Sequence, residues 1–96
     1  MEIIDSEDFD LTPAIKTAIE EKAAKIYELI GKDQKIEVFL SKEGSSETKV
    51  VFRTNFMGQM ISAEVIGPDF YHIVNDVKAK MVRQIADLKD KKSRHH

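Results

Sequence analysis

Two hydrophobic periods alternate along this chain, and their order leaves few folds open. From Pro13 the apolar residues fall at Ile15, Ala18, Ile19, Ala23, Ile26, Leu29 and Ile30. That is the three-to-four spacing of an amphipathic helix with one buried stripe. Over the middle of the chain the period drops to two. Ile36, Val38 and Leu40 alternate with Glu37, Phe39 and Ser41, and Val50, Phe52, Thr54 and Phe56 with Lys49, Val51, Arg53 and Asn55. Ile61, Ala63 and Val65 then alternate with Met60, Ser62 and Glu64. A period of two is the signature of a strand with one buried face. The helical period returns at Phe70, Val74, Val77, Met81, Ile85 and Leu88.

Local signals punctuate these runs. Thr12-Pro13 is a helix start, because Thr can accept from the free N–H groups of the first turn and Pro lacks the N–H that would go unused there. Gly31 suits the helix end. The spacing therefore predicts a first strand over 2–5, a helix over about 13–30, three strands joined by hairpins at Gly44 and at Gly58-Gln59, and a second helix over about 69–91 opened by Gly67-Pro68-Asp69. Ser6 to Asp10 reads as an acidic connection. The predicted class is α+β with the order β-α-β-β-β-α. Each helix has one apolar stripe and each strand one mainly apolar face, so both helices are expected on the same face of a four-stranded sheet, the other face meeting solvent. A chain of 96 residues makes one domain. It is assigned here to residues 1–91, with 92–96 as a short basic C-terminal tail.

Several function classes are excluded or left without support. The longest unbroken apolar runs, such as Val50-Val51-Phe52, are three residues long, far short of a membrane span or a signal-peptide core. With no cysteine, there is no disulfide framework, thiolate metal site or cysteine nucleophile, which fits a cytoplasmic location. No glycine-rich elbow surrounds a serine, and no glycine loop is built to cradle phosphate. His72 stands alone on the polar side of the second helix, and His95-His96 is either native or a tag remnant. Asp5, Glu7, Asp8 and Asp10 are dense but lack the glycine and terminal Glu of a calcium loop. An enzyme is not expected, nor a metal, cofactor or small-molecule substrate.

Charge is the remaining signal. The formal net charge of −2 argues against a nucleic-acid partner, but it hides a gradient. Residues 1–48 carry 12 acids and 6 bases, whereas residues 49–96 carry 5 acids and 9 bases. The last helix holds Lys78, Lys80, Arg83, Lys89, Lys91, Lys92 and Arg94. Asp76–Lys80, Arg83–Asp87 and Asp87–Lys91 are spaced for ordinary i,i+4 pairing, whereas Lys78, Lys89 and Lys92 have no acid at that spacing. In the first helix Lys16 and Lys25 lie on or beside the polar side. Lys22 falls inside the apolar stripe, either snorkelling to water or held in the groove between the helices. The basic strip is either a solvated face or a contact for a polyanion.

Taken in order, these residues resemble a known family. Leu11-Thr12-Pro13-Ala14-Ile15-Lys16 resembles the L-T-P-A-L-R helix start of the bacterial ribosome hibernation-promoting factors, also called ribosome-associated inhibitors or sigma-54 modulation proteins. Glu20, Lys22, Lys25 and Ile26 suit the family's E-K-K-L-x-K-L run, and Ile36-Glu37-Val38-Phe39-Leu40 its V-x-V-x-L strand. Gly58 with Ile61-Ser62-Ala63-Glu64 is similar to G-x-x-L-R-A-E. Asp69-Phe70-Tyr71 with Val74, Lys80 and Arg83-Gln84-Ile85 is similar to the D-M-Y-x-A-I…D-K-L-x-R-Q-I signature of the last helix. The resemblance covers about residues 1–92.

It implies a fold like a double-stranded-RNA-binding domain with an extra strand. It also implies binding to rRNA of the small ribosomal subunit, in the channel of mRNA and tRNA, and silencing of translation in stationary phase or stress. The bases it carries over are Lys16, Lys22, Lys25, Lys80 and Arg83, and more loosely Lys89, Lys91 and Lys92; Lys78 joins them on spacing alone. Asp69 and Tyr71 are motif positions with local structural roles. The resemblance is to a short form, without the domain through which long forms pair ribosomes, so a helper protein for ribosome dimerisation and action on single ribosomes both stay open. This chain departs from the pattern in its acidic residues after the first strand and in Ser62 where the family has Arg. Phe39, Val51 and Met60, facing solvent on the open sheet, leave a second reading: a protein-interaction module of the same fold with weakened RNA binding.

Overall fold

Thr12 and Pro13 start the first helix as their chemistry demands. In the computed structural model, which describes residues 1–5 and 9–94, α1 runs Pro13–Ile30. Thr12 is extended and its Oγ1 accepts from the Ile15 N–H at 3.2 Å, satisfying one of the donors a helix leaves free at its start. Gly31, at φ 97°, closes the helix by donating its N–H to the Tyr27 carbonyl at 2.9 Å. The second helix, α2, spans Phe70–Arg94. Asp69 caps it, its Oδ1 accepting from the Tyr71 N–H at 3.1 Å and its carbonyl from the Ile73 N–H at 3.0 Å. Helical backbone thus continues past the end expected near residue 91.

The strands β1 (Glu2–Asp5), β2 (Ile36–Glu43), β3 (Glu47–Phe56) and β4 (Gln59–Gly67) form one sheet in the order β1-β2-β3-β4. β1 is parallel to β2, as a strand–helix–strand connection on one face requires, and the two hairpins are antiparallel. The register sets rows across the sheet. Ile3, Val38, Phe52 and Ala63 stand in one row, Leu40, Val50 and Val65 in the next, and Ile36, Thr54 and Ile61 in the third. Phe52, fully buried, lies opposite small Ala63. Thr54 is the one buried polar residue among those described, and its hydroxyl donates to the Lys35 carbonyl at 2.7 Å.

Both helices cover this face. Ile19, Ala23, Ile26 and Ile30 of α1, and Ile73, Val74, Val77, Met81, Ile85 and Leu88 of α2, complete a single buried cluster. The fold is therefore the expected β-α-β-β-β-α arrangement.

Two local expectations need correcting. The β3–β4 turn consists of Met57-Gly58, since Phe56 pairs with Gln59, one residue earlier than the glycine alone suggests. Both turn residues have positive φ, 53° and 77°, the geometry that a two-residue hairpin with the natural strand twist imposes. The acidic connection of residues 6–10 lies partly outside the described residues, but Phe9 is core. It is only 8% exposed, and its ring centroid is 6.2 Å from that of Phe70. An apolar residue flanked by acids carries no periodicity, so only the fold reveals where it goes. Phe9→Ala is expected to lower the unfolding free energy by about 3 kcal/mol, as for other buried aromatic truncations. Urea denaturation against an Asp10→Ala control, expected within about 0.5 kcal/mol of the parent, checks this.

Candidate rRNA-binding seam

The flanks of the two helices are told apart by what they touch. On α2, Gln84 donates to the Ser62 carbonyl at 2.6 Å, and Asp87 and Lys91 share a groove with Gln59 and Met60. That flank looks toward β4. The opposite flank, reached by steps of seven and eleven residues, carries Tyr71, Lys78 and Lys89. It looks back over β3 toward α1, and the Lys89 ammonium lies 5.7 Å from the Phe56 ring centroid. On α1, Ala24, Tyr27 and Glu28 line a groove with Met1, so that flank faces the β1 side. Lys22 and Lys25 lie on the other flank, toward α2.

Four of the sequence-derived bases thus border the seam between the helices: Lys22 and Lys25 from α1, Lys78 and Lys89 from α2. Lys22 and Lys78 are half-buried, their stems covering apolar surface, while Lys25 and Lys89 are exposed. Glu21 and Glu28 stand at i−4 and i+3 from Lys25 on the outer side of α1, whereas Lys22, Lys78 and Lys89 have no acid three or four residues away on their helix. Asp76 and Asp87 sit on the far side of α2. The other candidates are placed elsewhere. Lys16 is exposed on the β1 side of α1, Lys80 and Lys91 lie on the β4 side of α2, and Arg83 points away from the core. Lys92 belongs to α2, but its side chain falls outside the described residues.

The ion pairs deepen the contrast between the two faces of the molecule. Three are tied to the sheet: Lys35–Glu2 at 2.9 Å, Lys49–Glu43 at 3.3 Å and Arg53–Glu37 at 2.8 Å. Arg53 spends both Nε and Nη2 on Glu37 Oε1, and its guanidinium covers the Phe39 ring at 4.8 Å. His72 Nε2 lies 3.5 Å from Asp76 Oδ2, a contact that is an ion pair only with the imidazole protonated. Among the described residues, none of Lys16, Lys22, Lys25, Lys78, Lys80, Arg83, Lys89 and Lys91 takes part in an ion pair. The i,i+4 pairs suggested by spacing are not formed: Asp76 turns to His72, and Asp87 reaches neither Arg83 nor Lys91. An exposed pair gains little in water, so spacing alone cannot hold these side chains together. Three acids of the sheet, Glu2, Glu37 and Glu43, are thus paired there, and Ile4, Met60 and Ile66 remain exposed on its open face.

This two-layer α+β domain, with a strip of unpaired bases along its helices, falls into a known class. A family model described as "Sigma 54 modulation protein / S30EA ribosomal protein" matches residues 3–93, and the chain belongs to that family. Its fold is also that of the Protein Y N-terminal domain from Thermus thermophilus. That structure matches with a TM-score of 0.77 and 18% identity, covering 91% of this chain and 94% of the other. A ribosomal subunit interface protein from Coxiella burnetii matches with a TM-score of 0.75 and 20% identity, covering 94% and 99%. A search of curated protein sequences finds no match.

Titration shifts mark the sheet edge. The Lys35 ammonium, hydrogen-bonded to Glu2, holds that carboxyl below its ordinary value of 4.5, and the same bond raises Lys35 above 10.5. The stabilisation from a lowered carboxyl is present above its unfolded value and is lost as pH falls through its folded value. That from a raised ammonium is lost as pH rises through its own. Glu2→Gln is therefore expected to shift the denaturation midpoint by a constant small amount between about pH 6 and 9. The difference should vanish once Glu2 is protonated, well below pH 4.5. Denaturation series of both proteins across acid pH check this.

Proposed function

We propose that the protein binds the small ribosomal subunit, its helix face against rRNA in the channel used by mRNA and tRNA, and so silences translation in stationary phase or stress. The observation that carries this reading is the seam: half-buried and exposed lysines from both helices, none of them in an ion pair among the described residues, in a chain of net charge −2. Cations that form no ion pair suit a polyanion, whose phosphates release bound counterions when neutralised. Membership of the S30EA family supports the ribosome as the source of that polyanion. The act is one of occupancy: a folded body fills the channel, and the charges hold it there. Such a protein would work in the cytoplasm, and whether a helper then pairs silenced ribosomes is a separate property. The outlying bases Lys16, Lys80, Arg83, Lys91 and Lys92 would broaden the footprint around Lys22, Lys25, Lys78 and Lys89.

The exposed Ile4, Met60 and Ile66 favour a second reading, in which the open sheet face docks a protein. Co-sedimentation with purified ribosomes across a salt series separates the two. The wild-type protein is expected to pellet with small subunits at low salt and to be released steeply as salt rises. Lys22→Glu with Lys78→Glu should abolish pelleting at the same salt while circular dichroism stays unchanged, and each single Lys→Ala should lower the salt slope by about one. Met60→Glu with Ile66→Glu should leave it intact. The opposite pattern would hand the function to the sheet.

A further inference from the structure

Tyr71, expected from the sequence to have a local structural role, is an exposed aromatic side chain. It is 54% exposed, and among the described residues its hydroxyl has no hydrogen-bond partner. Yet the ring is not loose. It meets the Phe70 ring edge-on, with centroids 5.4 Å apart and planes at 84°, and Phe70 in turn packs on buried Phe9. The Tyr71 N–H is fixed by the Asp69 carboxylate that caps α2. The other large apolar side chains left exposed, Met1, Ile4, Met57, Met60 and Ile66, are aliphatic or thioether groups on the sheet, its ends and its turn. Tyr71 instead belongs to the flank of α2 that carries Lys78, two helical turns or about 10 Å farther along. An anchored ring pays little conformational entropy on stacking, and a flat exposed ring beside unpaired cations is the combination that single-stranded nucleic acid recognises.

We infer that Tyr71 is a stacking platform for an unpaired RNA nucleobase, with Lys78 holding the phosphates beside it. Where that RNA comes from rests on the ribosomal reading above; the stacking itself does not. Asp69 and Asp76 are the acids closest to it along the helix. Asp69 is engaged by the cap, and Asp76 lies five residues on, toward the far side of the helix, 3.5 Å from His72. Base stacking on such a ring is insensitive to sequence, because every base has a flat face. The ring would therefore set how strongly unpaired RNA is held in place, and would not select a motif.

The test compares a 12-nucleotide oligoadenylate with an abasic ribose-phosphate oligomer of the same length and charge, each titrated into the protein at 50 mM salt. The wild-type protein is expected to bind the oligoadenylate about tenfold more tightly or better. Tyr71→Ala should remove that preference without changing the salt slope, Tyr71→Phe should keep it, and Lys78→Ala should lower the slope and keep the preference. Because Tyr71 lies at the surface, the variants should melt with the parent. An equal affinity for both oligomers, no binding of either, or a preference that survives Tyr71→Ala would overturn the proposal. A base preference in a protein that fails to pellet with ribosomes would support the stacking ring and reject the ribosomal reading. Pelleting without any base preference would do the reverse.

Discussion

Everything in this molecule follows from a sheet that buries only one of its faces. The rows around Val38, Phe52 and Ala63, Leu40 and Val50, and Ile36 and Ile61 are apolar, whereas their neighbours on the same strands are Glu37, Ser41, Lys49, Arg53 and Glu64. Four strands with one such face need two amphipathic helices to cover it. Two helices side by side on one layer necessarily make a seam between them. Residues at its margin are neither core nor fully solvated, so long side chains with an apolar stem and a charged head fit there. Lys22 and Lys78 occupy that margin, and the candidate site is a by-product of the packing that stabilises the fold.

Charge is distributed by the same geometry. On the sheet, cross-strand neighbours are fixed by register, so Glu37 meets Arg53 directly and the pair locks over Phe39. On the helices nothing beyond spacing brings acids to bases, and each exposed pair would gain too little to order two flexible chains. A near-neutral protein thereby presents a sheet that pairs three of its acids and helices whose lysines form no ion pair among the described residues. Net charge, the coarsest electrostatic quantity, conceals this because it sums over faces that a partner meets one at a time.

The fold was legible in the sequence to a degree the site was not. Periods of two and of three to four residues name strands and helices, and Thr12-Pro13, Gly31 and Asp69 mark their ends, because those signals act over a few residues. Phe9 was not legible: one apolar residue among acids has no period, and its burial depends on Phe70, which lies far away in sequence. Nor was the choice among the bases. Spacing set Lys78 and Lys89 apart as lacking acids, and the family resemblance pointed to Lys22 and Lys25. Only the flanks, fixed by Gln84 on Ser62 and by Lys89 over Phe56, bring those four to one seam and carry Lys16, Lys80, Arg83 and Lys91 away from it.

The sequence by itself determined the order of elements, the buried stripe of each and the family, since all three rest on local patterns that survive without knowledge of contacts. The tertiary structure decided which lysines stand together, which acids are spent on the sheet, and that an exposed ring at Tyr71 shares a flank with Lys78. Those are relations between residues on different elements, or on different sides of one helix. They are settled only when the packing of α1 and α2 fixes which side of each helix faces its neighbour.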